Sequence, residues 1–410
     1  MLSTTTRRLG RALLILLSAT AVVAGVLAPT APASAADSPV PWVAGQDVRG
    51  QKVAVTLAWD GVPGAASYTV HWTQGYGAPL DSPHQSTGPI HGTSTVIEGL
   101  EPGTTYCFSV DTGTRACKVT PPTSRAVKPG AFATTAATFN VACGSKSKCN
   151  GGWKWKKRQK QVVDRIGRMN ADIMVFTEAH VAHKYGKKKR WIGKVMKKRG
   201  YTLACQTQRS KKRKLFSQVA YVRSSAYAVV DRKRTSKGSR FTRFGDRDHG
   251  YCHALVQHRA TGRTLALAAL HLHDGEADAA RQQETAYVLG KLQARFGGQP
   301  TLLLGDFNSH RGRDRKGESD TPRLVLEGAG FADASDIAAW LTLPYLNSAN
   351  GFEVDPPRSK EWPTHVDRVF VSPGITVPAW ENLAVLDGAG RYATPMASDH
   401  NPIKVTLNIP

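Results

Sequence analysis

Six short segments hold the side chains best suited to chemistry. They are Phe139-Asn140-Val141, Phe176-Thr177-Glu178, Leu270-His271-Leu272, Gly305-Asp306-Phe307-Asn308-Ser309, His365-Val366-Asp367-Arg368-Val369-Phe370 and Ser398-Asp399-His400. Each sets Asn, Glu, His or Asp against apolar residues, as expected of polar groups at strand ends, where loops can gather them into one site. Singly they have bland readings. Asn140 could cap a turn, Glu178 could open a helix, and Gly-Asp-Phe-Asn could be a plain turn. A lone His beside an apolar strand is more often a satisfied core residue than a catalyst. Asp367 is more telling, because a carboxylate inside an apolar run needs a partner, and a nearby His is the natural one. Taken together, these types suit attack on a phosphate ester. That reaction builds negative charge on the non-bridging and leaving oxygens, so a hard cation held by carboxylates, with N–H donors nearby, stabilises the transition state. Mg²⁺ keeps several waters and needs only one or two protein carboxylates, which fits so sparse a ligand set. An imidazole held in one tautomer by an Asp can take a proton from water or stay charged against phosphate.

The elements that must position these residues change character along the chain. From about residue 41 to 135 the pattern is one of short strands: 53–59 and 67–72 alternate around turn chemistry at 61–64, and 95–97 and 107–110 follow. A Pro/Ser/Thr/Ala-rich stretch at 121–137 reads as linker, with room for a last strand. Beyond it, strands alternate with helices. Strands are expected at 138–142, 172–176, 219–222, 265–270, 301–304, 366–371 and 403–407. Helical spacing covers 155–169, with further helices near 277–294 and 322–328. Mixed elements over this length imply two packed β-sheets flanked by helices, an α/β four-layer sandwich.

The N-terminal strands resemble a fibronectin type III module, an all-β sandwich, through Trp59, Tyr68 and the Leu100-Glu101-Pro102-Gly103-Thr104-Thr105-Tyr106 corner. The resemblance implies that Tyr106 caps the corner through its hydroxyl. Core packing is the reading for Trp59 and Tyr68, and the module is expected to be a spacer, with a surface or carbohydrate as the ligand open to it. The six segments, in this order and between these strands, resemble the endonuclease/exonuclease/phosphatase superfamily over 138–410. That resemblance implies Asn140, Glu178 and Asp399 at a divalent metal, Mg²⁺ foremost with Mn²⁺ or Ca²⁺ as alternatives. It implies His271 and His400 flanking the phosphate, with Asp306 and Asn308 positioning water and a phosphate oxygen, and Asp367 orienting His400. The choice of base between Asp306 and His400 stays open. His271 is preferred to His273 because it directly follows the apolar strand. Gln218 stands where relatives often place Gly or an acid, so no carboxylate partner for His271 is visible, and His310 reads as a surface residue.

Composition adds compartment and partner. Arg7, Arg8 and Arg11, an apolar run over 13–27 and Ala33-Ser34-Ala35 read as a signal peptide over 1–36. No later run is long enough to span a bilayer, so a secreted, soluble monomer is expected, with a module at 37–135 and a catalytic domain at 136–410. All six cysteines lie beyond the cleavage site, and nearest-neighbour disulfides Cys107–Cys117, Cys143–Cys149 and Cys205–Cys252 are the simplest pairing. The net charge of +24 is concentrated between 144 and 214, where 23 Lys and Arg meet only Asp164, Asp172 and Glu178. With Trp153, Trp155, Tyr185 and Trp191 interleaved, this points to a polyanion, and nucleic acid is the expected partner. Three functions follow: a nuclease of low sequence specificity acting on DNA or RNA, a phospholipid phosphodiesterase of the sphingomyelinase kind, and a non-catalytic polyanion binder. The second wants exposed apolar loops, and no convincing hairpin of that kind is seen. The third is disfavoured by a complete motif set.

Overall fold

The computed structural model describes residues 39–76, 84–111, 115–121, 127–142, 153–179, 191–207, 218–230, 237–241, 244, 249–315, 319–356 and 361–410. The expected signal peptide, Cys143, Cys149 and much of the basic segment lie outside them. Ser38–Pro410 forms one unit. Among the described residues, no helix is long and apolar enough to cross a membrane.

The described residues begin with seven strands: β1 (Pro41–Arg49), β2 (Lys52–Trp59), β3 (Val70–Gln74), β4 (Gln85–Ser86), β5 (Ser94–Leu100), β6 (Thr105–Val110) and β7 (Arg115–Val119). β1, β2 and β5 pair antiparallel. A second, four-stranded sheet runs β4-β3-β6-β7. Trp59 and Tyr68 are buried and meet edge to face at 5.5 Å, so both pack in the core as expected. The Tyr106 hydroxyl accepts the Glu101 N–H at 3.0 Å, closing the corner. The Cys107–Cys117 disulfide joins β6 to β7 where the two residues face each other.

The rest continues with β8 (Phe132–Asn140), α1 (Trp155–Met169), β9 (Ile173–Thr177), α2 (Trp191–Lys198), β10 (Tyr201–Thr207) and β11 (Val219–Arg223). Then come β12 (Tyr227–Val230), β13 (Lys237–Arg240), β14 (Gly250–His258), β15 (Thr264–His271), α3 (Asp278–Phe296) and β16 (Thr301–Asp306). The last elements are α4 (Thr321–Gly328), β17 (Ala332–Asp333), α5 (Ala334–Ile337), β18 (Trp340–Thr342), β19 (Asp367–Val371), β20 (Thr376–Asn382) and β21 (Ile403–Ile409). The stretch that composition marks as linker up to 137 already belongs to β8 from Phe132 onward, where it pairs with β21. Small and β-branched residues (Ala133, Thr134, Thr135, Ala136, Ala137) hide a strand that becomes covered on both faces only from Ala136 onward.

Two sheets carry this part. One includes β10-β11-β9-β8-β21-β20, and the other β12-β14-β15-β16-β19 with β17 at its end. Alternation decides what each face buries. Ala136, Ile173, Val175, Leu265, Leu267, Leu302, Leu304, Val369 and Val371 meet between the sheets. On the outer face of the first sheet, Ala137, Phe139, Met174 and Phe176 pack on Val162, Ile166 and Met169 of α1 and on Ile192 and Met196 of α2. On the outer face of the second, Ala266, Ala268, Leu270, Leu303 and Phe370 pack on Val288, Leu289 and Leu292 of α3. Helix, sheet, sheet and helix are therefore four layers, held mainly by apolar burial at about 1.5–3 kcal/mol per large side chain. The Cys205–Cys252 disulfide ties β10 to β14 across the inter-sheet core.

Candidate active site

The parity that fills the inter-sheet core also delivers the site. Asn140 continues the series Ala136 and Thr138, His271 the series Leu265, Leu267 and Ala269, and Asp306 the series Leu302 and Leu304. Asp367 begins the series completed by Val369 and Val371. All four therefore stand on the inner faces, at the end of the sandwich where β8, β15 and β16 finish and β19 starts. Backbone register then aligns three of them: His271 lies opposite Asp306, and Asp306 opposite Asp367. Gly305 makes that alignment possible. Its φ is +150°, and a Cβ there would sit 1.8 Å from the Leu270 carbonyl oxygen, an overlap that no side chain survives.

Glu178 is one residue past β9 and by parity would point away from this end. Its backbone adopts the left-handed region, φ 51°, uncommon for a residue with a side chain, and this turns the carboxylate back. Asn308 uses the same device at φ 46°, at lower cost because Asn tolerates it. Asn140 links the two sheets: its Nδ2 donates to Glu178 Oε1 at 3.1 Å and to Asp306 Oδ2 at 2.9 Å. Its side-chain oxygen accepts the Ala142 N–H at 3.0 Å, which fixes the amide's orientation. The Asn308 N–H donates to Asp306 Oδ1 at 2.9 Å, and its Nδ2 donates to the Leu272 carbonyl at 2.8 Å.

His400 Nδ1 lies 2.7 Å from Asp367 Oδ2, and its Nε2 lies 3.9 Å from Asp306 Oδ2. Burial disfavours the charged imidazole, but Asp367, then Asp306 and Asp399, outweigh it and hold His400 well above the usual histidine range. Asp367 is in turn placed by Ser348, whose hydroxyl accepts the Val366 and Asp367 N–H groups, both at 2.9 Å. His271 Nε2 approaches Asp306 Oδ2 at 3.5 Å. The carboxylate partner of His271 is thus Asp306 on the neighbouring strand, while Gln218 is buried and receives the Thr207 hydroxyl at 2.5 Å.

Asp399 faces Glu178 electrostatically. Burial first, and Asp399 second, push Glu178 up to about 7, with the Asn140 amide working the other way. Carboxylates crowded in this manner are relieved by a cation, so Glu178, Asn140 and Asp399 fit a hard divalent ion. Such an ion would supply charge neutralisation at a phosphate oxygen.

Several further residues hold the site residues in place. Ser398 donates its hydroxyl to the Asn140 carbonyl at 2.7 Å, and Asn350 and Gly351 donate N–H groups to the Asp399 carbonyl at 2.7 and 3.0 Å. Buried Arg158 of α1 donates to the Ala397 carbonyl at 2.6 Å and to the Val141 carbonyl at 3.3 Å, clamping the His400 loop to the end of β8. An Arg at a core position of a helix is the one signal that marks it in sequence. One histidine differs from expectation. His310 is half-buried rather than a surface residue, and burial pushes it down to about 4. His365 is held by the Leu346 carbonyl at 3.0 Å, and burial likewise pushes it down to about 4. All eight motif residues converge on one end of the sandwich.

Residues 137–400 match the Endonuclease/Exonuclease/phosphatase family. The chain belongs to this family. Its members are phosphoesterases, typically dependent on a divalent metal. Among solved structures, an endonuclease/exonuclease/phosphatase from Bacteroides vulgatus covers 68% of this chain and 100% of its own, at 19% identity and a TM-score of 0.52. The mannosyl-6-phosphatase Bt3783 of Bacteroides thetaiotaomicron covers 67% and 99%, at 18% identity and 0.48. D. rerio TDP2 complexed with single strand DNA product covers 67% and 99%, at 17% identity and 0.47. No curated protein matches the chain. At these identities the first likeness speaks for the fold, and within the family the site's own geometry must speak for the chemistry.

Proposed function

We propose that this chain is a secreted, divalent-metal-dependent phosphodiesterase that hydrolyses nucleic acid, DNA foremost, with low sequence specificity. The observation carrying the reaction is the in-register row His271–Asp306–Asp367, met by His400, Asn140 and Glu178 from the facing sheet. In this reading Glu178, Asn140 and Asp399 hold Mg²⁺, with Mn²⁺ or Ca²⁺ as substitutes. His271 and charged His400 receive the phosphate oxygens. Asp306, fixed by Asn140 and Asn308, is the group placed to orient and deprotonate the attacking water, because Asp367 keeps His400 protonated.

The substrate class rests on the basic segment 144–214, which flanks Asn140 and Glu178 in sequence. Contacts between lysines and phosphates position a polyanion without reading its bases. Export rests on the signal-peptide pattern and on disulfides such as Cys107–Cys117 and Cys205–Cys252. The N-terminal strands are read as a fibronectin type III-like spacer, and the protein as a monomer.

Incubating the mature protein with plasmid DNA, RNA and sphingomyelin, each with Mg²⁺, Ca²⁺ or chelator, tests this directly. The expected result is DNA cleavage that needs the metal and falls steeply with salt. Release of phosphocholine from sphingomyelin without cleavage of either nucleic acid would overturn the nuclease and leave the phosphodiesterase standing.

A further inference from the structure

A second group of potential ligands borders the site without belonging to it. Antiparallel pairing sets Gly250 of β14 opposite His271, which carries His249 beside the residues that leave β15. The His249 ring lies 4.3 Å from that of His271 and 5.9 Å from that of His273, centroid to centroid. Asp274 is next, its carboxylate 3.5 Å from His273 Nδ1. One donor atom from each of His249, His273 and Asp274 falls within 4.8 Å of the others.

The backbone under these donors is held from below. Buried Glu284 of α3 accepts the His273 N–H at 2.9 Å. Buried Arg281, one turn earlier, donates to the carbonyls of His273 at 3.0 Å and Gly275 at 2.8 Å. Two buried charged side chains thus clamp a loop whose own side chains are open: His273 is 36% and Asp274 72% exposed. A fixed backbone that presents the three donors within 4.8 Å of one another lets them close on an ion without refolding the loop.

We propose that His249, His273 and Asp274 form a transition-metal site at the rim of the active site, with Zn²⁺ the ion they fit best. Two imidazoles and one carboxylate suit Zn²⁺, whereas Mg²⁺ prefers an all-oxygen shell, so this site and the Glu178 site select different ions. Three protein ligands leave a coordination position open to water or to a substrate phosphate oxygen. Contact between His249 and His271 puts that position next to the phosphate-binding side of the cleft.

The test is Zn²⁺ binding to the full mature chain in excess Mg²⁺, followed by calorimetry and by the thermal midpoint. Wild type is expected to bind one equivalent and to gain thermal stability, since an ion bound to the folded state raises the midpoint. Glu178→Ala should keep that equivalent, because it alters only the other site. His273→Ala and the milder, exposed Asp274→Ala should each lose the Zn²⁺-induced rise while keeping the metal-free midpoint. No bound equivalent in wild type, its loss in Glu178→Ala, or its retention in both rim variants would each overturn the site. Because binding is read rather than turnover, failure here is distinct from failure of the phosphodiesterase reading.

Discussion

Asp367 and Arg368 are neighbours on β19, yet they serve two buried charged clusters of opposite character. Arg368 reaches the outer face of its sheet. There its Nε donates to Asp333 at 2.6 Å and its Nη1 to both oxygens of Asp320 at 2.8 Å. Asp320 also receives Arg323 at 3.1 Å and the Ser309 hydroxyl at 2.8 Å. Burial opposes its charge, but Arg368 and Arg323 outweigh that and hold its carboxyl below the usual range. Asp367 faces the other way, into a cluster where burial and Asp399 instead push Glu178 up to about 7. One cluster is internally neutralised, and the other is strained by like charge. The difference teaches that buried charge by itself marks nothing. Charge left for an outside cation or phosphate to balance is what marks a site.

The contrast can be broken by mutation. The largest effect is expected from His400→Ala, which should lower kcat/KM on a phosphodiester by about 10²–10³-fold, the usual worth of one donor aimed at transition-state charge. Circular dichroism should show an unchanged fold, and a loss below tenfold would remove His400 from the chemistry. Glu178→Ala should behave like chelation of wild type, with hydrolysis lost in both, but added Mg²⁺ should rescue only the chelated wild type. Arg368→Ala should reverse the pattern. Removing the buried cation that bridges Asp320 and Asp333 costs about 3–5 kcal/mol, read from the urea midpoint, while turnover per folded molecule stays near wild type. Were Arg368→Ala instead to abolish turnover in a stable protein, the division between the clusters would fail. Smallest is Tyr106→Phe, which removes the corner hydrogen bond for about 1 kcal/mol and should leave hydrolysis untouched.

How much of this could be read beforehand differs by element. The helices at Trp155–Met169 and Asp278–Phe296 follow from apolar spacing, and the strands ending at Thr177, His271 and Asp306 follow from runs of Val, Ile and Leu. The start of β8 at Phe132 was hidden, because its alternation is written in Ala and Thr, which composition reads as linker. That Asn140, Glu178, Asp306, Asp367 and His400 gather in one place was expected from the order of their motifs and the family resemblance those motifs carry. Ser348 and Asn350 carry no spacing signal, since each acts through a contact made across a long sequence separation.

The sequence alone determined the chemical types: which carboxylates and imidazoles exist, that they follow apolar strands, and that their family is one of phosphoesterases. Tertiary structure decided who faces whom. That His271 meets Asp306, that Glu178 turns back through a left-handed residue, and that Asp367 and Arg368 part company are consequences of register and strand parity. Side chains alternate with period two, so a single-residue shift would exchange the two clusters, and only the packed sheets hold that shift at zero.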